Sequence, residues 1–424
     1  MEIYIHLPFC VQKCRYCDFL SFPAEEERQR VYIDALLQEI RRTAERTGSC
    51  EDGDPVKPVS VFLGGGTPSL LPAEWIGEIL EELRSCFPVS ADAEITIEAN
   101  PGTVDTGKLQ MYRSAGINRI SFGCQSFQEQ ELKLLGRIHT VREIRESVRL
   151  AREAGFDNIN MDLMSGLPGQ DLKSWEETLH QAVVLEPEHI SAYSLIIEEG
   201  TPFFTQYGEK DNRCSEFAAK DKAGTEENGF PALPDEETER RMYERTAEIL
   251  AEAGFRQYEI SNYAREGYAC RHNLGYWTGI PYFGFGLGAS GYLPQSWFSR
   301  MQAGNTGSEE KEPLNEESGT AQRWVRYRNT CDFIRYTDGI SEYDEVQVLD
   351  QKDLQAEFMI LGLRLTEGVE DAGFRRRFGC SLDTVYGEIL KKYSGMGFLV
   401  RKDGRTYLSR KGISVSNTVL ADFL

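Results

Sequence analysis

Three cysteines stand within eight residues near the start of the chain: Cys10-Val-Gln-Lys-Cys14-Arg-Tyr-Cys17, a C-x3-C-x2-C spacing. Thiolates are soft ligands that select zinc or iron–sulfur clusters, and three from one short loop can wrap one face of a cluster. A zinc site calls for a fourth ligand, usually a second C-x2-C pair or histidines at fixed spacing, and no second pair exists here. The bacterial ferredoxin run needs a further cysteine and a different spacing, whereas the position two past Cys17 is Phe19. Three cysteines on a four-iron cluster leave one iron without a protein ligand, free to coordinate a small molecule. The bland alternative is three buried or zinc-bound cysteines, which this spacing disfavours. The remaining cysteines, at 50, 86, 124, 214, 270, 331 and 380, are scattered singly and read as small buried hydrophobes.

Other residues able to do chemistry are Gly64-Gly65-Gly66-Thr67, Glu98, Gln125, Arg137 and Asp162. The elements that must position them alternate β-rich and amphipathic runs. Strands are expected at 3–7, 59–63, 94–98, 119–122, 158–163 and 189–194, and helices at 26–46, 72–86, 105–115, 142–154 and 171–185. Six strands alternating with five helices imply parallel pairing through crossover connections. The Gly-rich run, Glu98, Gln125 and Asp162 fall at strand C-terminal ends, where (β/α) barrels place their sites. A full or partial barrel therefore fits better than an open doubly wound sheet, although that fold also works at strand ends. Glycines after the second strand let backbone approach a ligand closely.

The expected fold is α/β: a partial (β/α)6-type barrel over 1–235, a barrel-completing segment over 236–342, and a winged-helix-like α+β domain over 343–424. The last has helical runs at 354–365 and 382–393, a hairpin at 398–409 turning on Asp403-Gly404, and a final helix from 413. Residues 205–234 and 303–322 are polar and read as surface insertions. The chain carries 47 basic and 68 acidic residues, a net charge of -21, which repels nucleic acid and anionic membranes. From 343 onward the 12 basic and 12 acidic residues cancel, so the wing is read as a packing or lid module with no nucleic-acid partner. No basic, apolar leader opens the chain. The charge-free stretch 272–299 holds six Gly and two Pro, unlike a spanning helix. A cytoplasmic protein with reduced thiols and no stable membrane insertion is expected.

The run Cys10-x3-Cys14-x-Tyr16-Cys17 resembles the signature of the radical S-adenosylmethionine superfamily. That resemblance implies a [4Fe-4S] cluster whose open iron chelates S-adenosylmethionine and whose electron cleaves it to a 5′-deoxyadenosyl radical. The strings Leu63-Gly-Gly-Gly-Thr-Pro68, Ile95-Thr-Ile-Glu98-Ala-Asn-Pro-Gly102, Ser121-Phe-Gly-Cys-Gln125-Ser-Phe127, Leu135-Gly-Arg137-Ile-His139 and Asn160-Met-Asp162-Leu-Met-Ser-Gly-Leu-Pro-Gly169 follow in order. Together they are similar to the oxygen-independent coproporphyrinogen III oxidase group, over most of the chain. Carried over by motif, Tyr4, Gly65, Gly66, Thr67, Glu98, Gln125, Arg137 and Asp162 are expected to contact S-adenosylmethionine, and Cys10, Cys14 and Cys17 to hold the cluster.

Within that group two functions compete. One is coproporphyrinogen III dehydrogenase, an enzyme of porphyrin biosynthesis. The other is the branch of HemW haem chaperones, which carry haem to respiratory acceptor proteins; a plain electron-transfer protein is a third, blander reading. Three features favour the chaperone. Phe19 stands where the dehydrogenase branch has a fourth cysteine, Tyr4 lies almost at the start whereas that branch has an N-terminal extension, and His272-Asn-Leu-Gly-Tyr-Trp277 matches the branch's H-N-x-x-Y-W motif. Coproporphyrinogen III dehydrogenase activity is not expected. The expected partners are haem, haem-acceptor proteins and a reductant such as flavodoxin or ferredoxin. Haem is expected near His272, with His272 or Cys270 as axial ligand, in the aromatic charge-free stretch. The competing reading is that 272–299 closes the core with His272 hydrogen-bonded inside it.

Overall fold

Side chains along the first six strands alternate between two unlike environments. β1 (Glu2–Leu7), β2 (Ser60–Gly65), β3 (Glu94–Ala99), β4 (Arg119–Gln125), β5 (Ile159–Ser165) and β6 (His189–Ser194) pair in parallel in that order. Successive residues of a strand face opposite sides of the sheet. One set, including Ile3, Ile5, Val61, Leu63, Ile95, Ile97, Ile120 and Ile159, belongs to the main hydrophobic cluster. The other set is largely polar yet buried: Thr96 pairs with Arg119, Glu98 with Ser121, Ser121 with Asn160, and Asn160 with His189. The sheet thus has an oily helix-facing side and a polar inner side.

Parallel neighbours need crossovers, supplied by helices Glu26–Thr47, Ala73–Cys86, Thr106–Ser114, Val141–Glu153 and Leu172–Val184, at the places expected. Local chemistry fixes their starts. Asp105 accepts from the Lys108 amide at 2.8 Å, and Thr140 with Glu143 and Asp171 with Ser174 form reciprocal caps. A short helix missed by periodicity, Glu129–Leu135, ends on Gly136 in the left-handed region.

The computed structural model describes residues 1–47, 57–208, 231–302, 323–339 and 343–424. The second half adds strands that were not anticipated. β7 (Arg256–Gln257) and β8 (Asn262–Ala264) continue antiparallel from β6, and β9 (Tyr282–Phe285) pairs in parallel with β1. β10 (Ser290–Pro294), β11 (Trp324–Asn329) and β12 (Tyr343–Leu349) extend that edge antiparallel. The order is β12-β11-β10-β9-β1-β2-β3-β4-β5-β6-β8-β7, so β1 and β6 are not neighbours and the barrel stays open. The expected loop at 205–234 begins later than expected, because Pro202–Tyr207 is a helix with Phe203 buried. Residues 209–230 of that loop, and all of 303–322, lie outside the described residues.

Toward the C-terminus a second apolar cluster forms around Met359, Phe374, Leu390, Leu399 and Phe423. Helices Gln351–Gly362, Asp371–Phe378 and Leu382–Gly395 pack there with β13 (Val369–Glu370), β14 (Leu399–Lys402) and β15 (Arg405–Leu408), in the antiparallel order β13-β15-β14. Asp403 and Gly404 both take positive φ, as a tight two-residue hairpin requires. The expected single helix from 413 is instead two, Arg410–Ser414 and Ser416–Ala421, parted at Val415 by its φ of -123°. Among the described residues no helix is long and apolar enough to cross a membrane.

Candidate cofactor site at the strand ends

The cysteine loop leaves β1 and is closed on itself at its base. The Cys10 amide donates to the Phe22 carbonyl at 3.2 Å and the Phe22 amide to the Pro8 carbonyl at 2.9 Å. Buried Phe9 meets Phe22 and Tyr32 edge-on, with ring centroids 5.7 and 5.2 Å apart. The middle of the loop is tied elsewhere: the Arg15 amide donates to the Leu135 carbonyl at 3.0 Å and Gln12 Nε2 to the Gly136 carbonyl at 2.9 Å.

The Gly-rich turn after β2 lies directly against this loop. The Gly66 amide donates to the Leu7 carbonyl at 2.9 Å and the Thr67 amide to the Phe9 carbonyl at 2.8 Å. A Cβ at Gly66 would stand 2.7 Å from the Phe9 carbonyl oxygen, so the close approach needs glycine. Gly65 has φ +110° and faces the His6 ring.

Polar side chains then link Cys10 to Cys14. Thr67 Oγ1 lies 3.4 Å from Cys10 Sγ and accepts from Asn100 Nδ2 at 2.9 Å. Arg137 Nη2 donates to Asn100 Oδ1 at 2.5 Å and to the Gly123 carbonyl at 2.6 Å, while Nη1 points at Cys14 Sγ, 3.6 Å away. Cys10, Cys14 and Cys17 are free and half-buried. They share one cavity of about 500 Å³ with Gly65, Gly66, Thr67, Glu98, Gln125, Arg137 and Asp162. These residues come from four strand ends and two loops.

Electrostatics inside the cavity are unusual. Burial, then the nearby Asp162, pushes the Glu98 carboxyl up to about 7, although it accepts the Gly65 amide at 3.1 Å. Burial also raises Asp162, opposed by hydrogen bonds from Asn160 Nδ2 at 2.8 Å and Ser121 Oγ at 3.2 Å. Gln125 holds a left-handed φ of +64° at a register shift between β4 and β5, and its Oε1 accepts from the Tyr193 hydroxyl at 2.9 Å. A non-glycine residue there is uncommon and marks a constrained position.

The donor set suits a cluster. Among the described residues no trio of His, Cys, Asp or Glu converges as one ion would need, whereas a cubane takes each thiolate on a separate iron. Arg137 beside Cys14 offsets thiolate charge, and Glu98 and Asp162 offer acceptors to hydroxyls or an ammonium.

Two candidates stand apart. Tyr4 is not among the lining residues; its hydroxyl meets His6 Nδ1 at 3.0 Å, and Glu98 adds to burial in raising it. His272 sits at the opposite end of the strands. Its Nδ1 meets Ser60 Oγ at 2.8 Å, its Nε2 meets the Tyr276 hydroxyl at 3.1 Å, and burial lowers it to about 3. Cys270 Sγ contacts Glu94 Oε1 at 3.3 Å, and burial pushes its thiol up to about 12. Glu2, 3.9 Å from His272 Nδ1, is wholly buried, and among the described residues neither of its carboxylate oxygens has a hydrogen-bond partner.

The residues that sequence reasoning missed are the connectors: Asn100, Ser121, Tyr193 and His6. Asn100 was available, since it stands two past Glu98 in the same strand-end string, hence on the same face if the strand continues. Tyr193 carried no comparable signal.

Residues 4–182 match the family described as Radical SAM superfamily, and residues 349–415 match HemN C-terminal domain. The heme chaperone HemW of Bacillus subtilis is 34% identical over 99% of this chain and 98% of its own length. The chain belongs to the HemW family. The Escherichia coli HemW is 41% identical to this HemW-family chain, over 69% of it and 70% of the relative. Among solved structures, the radical SAM enzyme coproporphyrinogen III oxidase (HemN) from Escherichia coli superposes with a TM-score of 0.74 at 20% identity, covering all of this chain and 89% of HemN. That likeness bears on fold alone.

Proposed function

We propose that this chain is a haem-binding chaperone that passes haem to acceptor proteins, working in the cytoplasm with a reductant such as flavodoxin or ferredoxin. The observation that carries the reading is the end-to-end match to relatives named heme chaperone HemW. Cys10, Cys14 and Cys17 hold a [4Fe-4S] cluster, and S-adenosylmethionine binds in the cavity beside it. When bound, the two supply one-electron radical chemistry. The Gly65-Gly66-Thr67 turn presents backbone to the methionine end, Arg137 clamps its carboxylate, and Glu98 and Asp162 accept from its ammonium or ribose hydroxyls. Gln125 completes the wall, and Tyr4 stands outside it with its hydroxyl on His6 Nδ1. Phe19, 62% exposed at the cavity mouth, replaces a cysteine with an apolar ring.

Haem ligation by His272 or Cys270 requires the buried group around Ser60, Glu94 and Tyr276 to open, so His272→Ala and Cys270→Ala are the direct test of that assignment. The function itself is tested by giving the anaerobically reconstituted protein haem, and separately coproporphyrinogen III. Haem retention with a Soret band and no protoporphyrinogen is expected. Formation of protoporphyrinogen, or no haem binding, overturns the proposal.

A further inference from the structure

Two adjoining cavities, of about 350 and 310 Å³, open where the β9–β11 edge meets the C-terminal helices. They share Trp277, Gly279, Tyr292, Glu357 and Leu361. Neither includes any residue of the cysteine site. The smaller has Tyr276, Trp277, Tyr282 and Tyr292 in its wall, and the larger adds Phe358 and the aliphatic Leu354, Leu365 and Val369. Tyr276 meets Tyr282 edge-on at 4.6 Å, and Tyr292 stacks on Trp324 at 4.6 Å, with planes 16° apart. The buried indole N–H of Trp277 has no acceptor among the described residues.

Charge at the rim is uneven. Arg326 pairs with Glu357, and Arg376 and Arg405 both pair with Glu370. Arg377 makes no ion pair among the described residues; one N–H donates to the Tyr292 hydroxyl at 3.0 Å. A half-buried guanidinium with no ion pair among the described residues, beside a cavity that Glu357 also lines, suits a flat apolar ligand that brings its own carboxylate.

We propose that this double cavity is the haem seat, with the ring against Trp277, Tyr282 and Tyr292 and one propionate on Arg377. The inference rests on the haem-binding reading above. It gives His272 a positioning role: its Nε2 contacts the Tyr276 hydroxyl, fixing the wall from behind. The H-N-x-x-Y-W string then contributes Tyr276 and Trp277 to the seat and keeps the histidine out of it.

The test is haem titration of the full, cluster-reconstituted chain, with Leu361→Trp to fill the shared space and Arg377→Ala to remove the anchor. Unchanged iron content and circular dichroism check the fold of each variant. Leu361→Trp should weaken haem binding about tenfold or more. Arg377→Ala should weaken metal-free protoporphyrin about fivefold and leave protoporphyrin dimethyl ester unaffected, since the ester lacks the carboxylate. If both folded variants bind haem like the parent, the seat is wrong while the chaperone reading stands. If the parent binds no haem, both fall.

Discussion

The buried Glu2 carboxyl offers the sharpest quantitative test of the inner, polar side of the sheet. Desolvation raises it from 4.5 to about 8; Glu94 adds to the rise, while the chain's amino end and Ser60 oppose it. The Ser60 hydroxyl also meets His272 Nδ1 at 2.8 Å. A raised carboxyl keeps a proton in the fold that the unfolded chain releases. Its contribution is therefore complete below about pH 4.5 and is lost as pH rises through about 8. With about 1.4 kcal/mol per unit, this one group should remove roughly 4 kcal/mol of stability between about pH 5 and about pH 9. Glu2→Gln keeps the shape and abolishes the titration. Urea unfolding of parent and variant, followed by circular dichroism at both pH values, isolates the term, since all other titrations are common to the two. The pair should differ by about 1 kcal/mol from this term at the lower pH, and the variant should gain roughly 4 kcal/mol on the parent by the higher. A constant offset across the range would refute the argument.

Replacing Cys10, Cys14 or Cys17 by Ala should drop reconstituted iron from about four per chain to near zero, measured by iron and sulfide analysis. Gly66→Ala should lower iron content too, because its Cβ would lie 2.7 Å from the Phe9 carbonyl oxygen and 2.8 Å from the Phe9 amide nitrogen and displace the cysteine loop. With the Glu98 carboxyl near 7, its charged form, favoured by a cationic ligand, grows about tenfold between about pH 6 and about pH 8. Calorimetry should therefore find S-adenosylmethionine affinity rising by about that factor more in the parent than in Glu98→Gln. Arg137→Gln removes a positive charge 3.6 Å from Cys14 Sγ, so spectroelectrochemistry should give a more negative cluster midpoint with iron retained.

What the sequence discloses follows from how local each signal is. The first six strands and five crossover helices are legible because apolar periodicity and caps such as Thr140–Glu143 are written within a few residues. The trio of cysteines and the Gly-rich turn are legible for the same reason. β7 to β10 escape because each spans only two to five residues, and β8 and β9 find partners far along the chain: Asn262 pairs with Ser191, Tyr282 with Glu2; β11 and β12 are as long as the strands that were legible, and their alternation was overlooked. The misjudged loop boundary near 205 has a similar cause, since Phe203 earns its burial only by packing with Leu135, Met164 and Leu167. Connectors such as Tyr193, whose meaning depends on Gln125 68 residues away, are invisible until the fold places them.

The anchoring of the cysteine loop sets the timing of assembly during synthesis. Its cysteines are made well before their anchors, since the Arg15 amide is held by Leu135, and the Phe203 amide donates back to the Arg15 carbonyl at 3.0 Å. At roughly 5–20 residues per second, the chain needs on the order of ten to forty seconds before those anchors exist. Until then the cysteine loop lacks both of those ties. On the proposed cluster assignment, delivery of iron and sulfide is thus a late event in this protein's life.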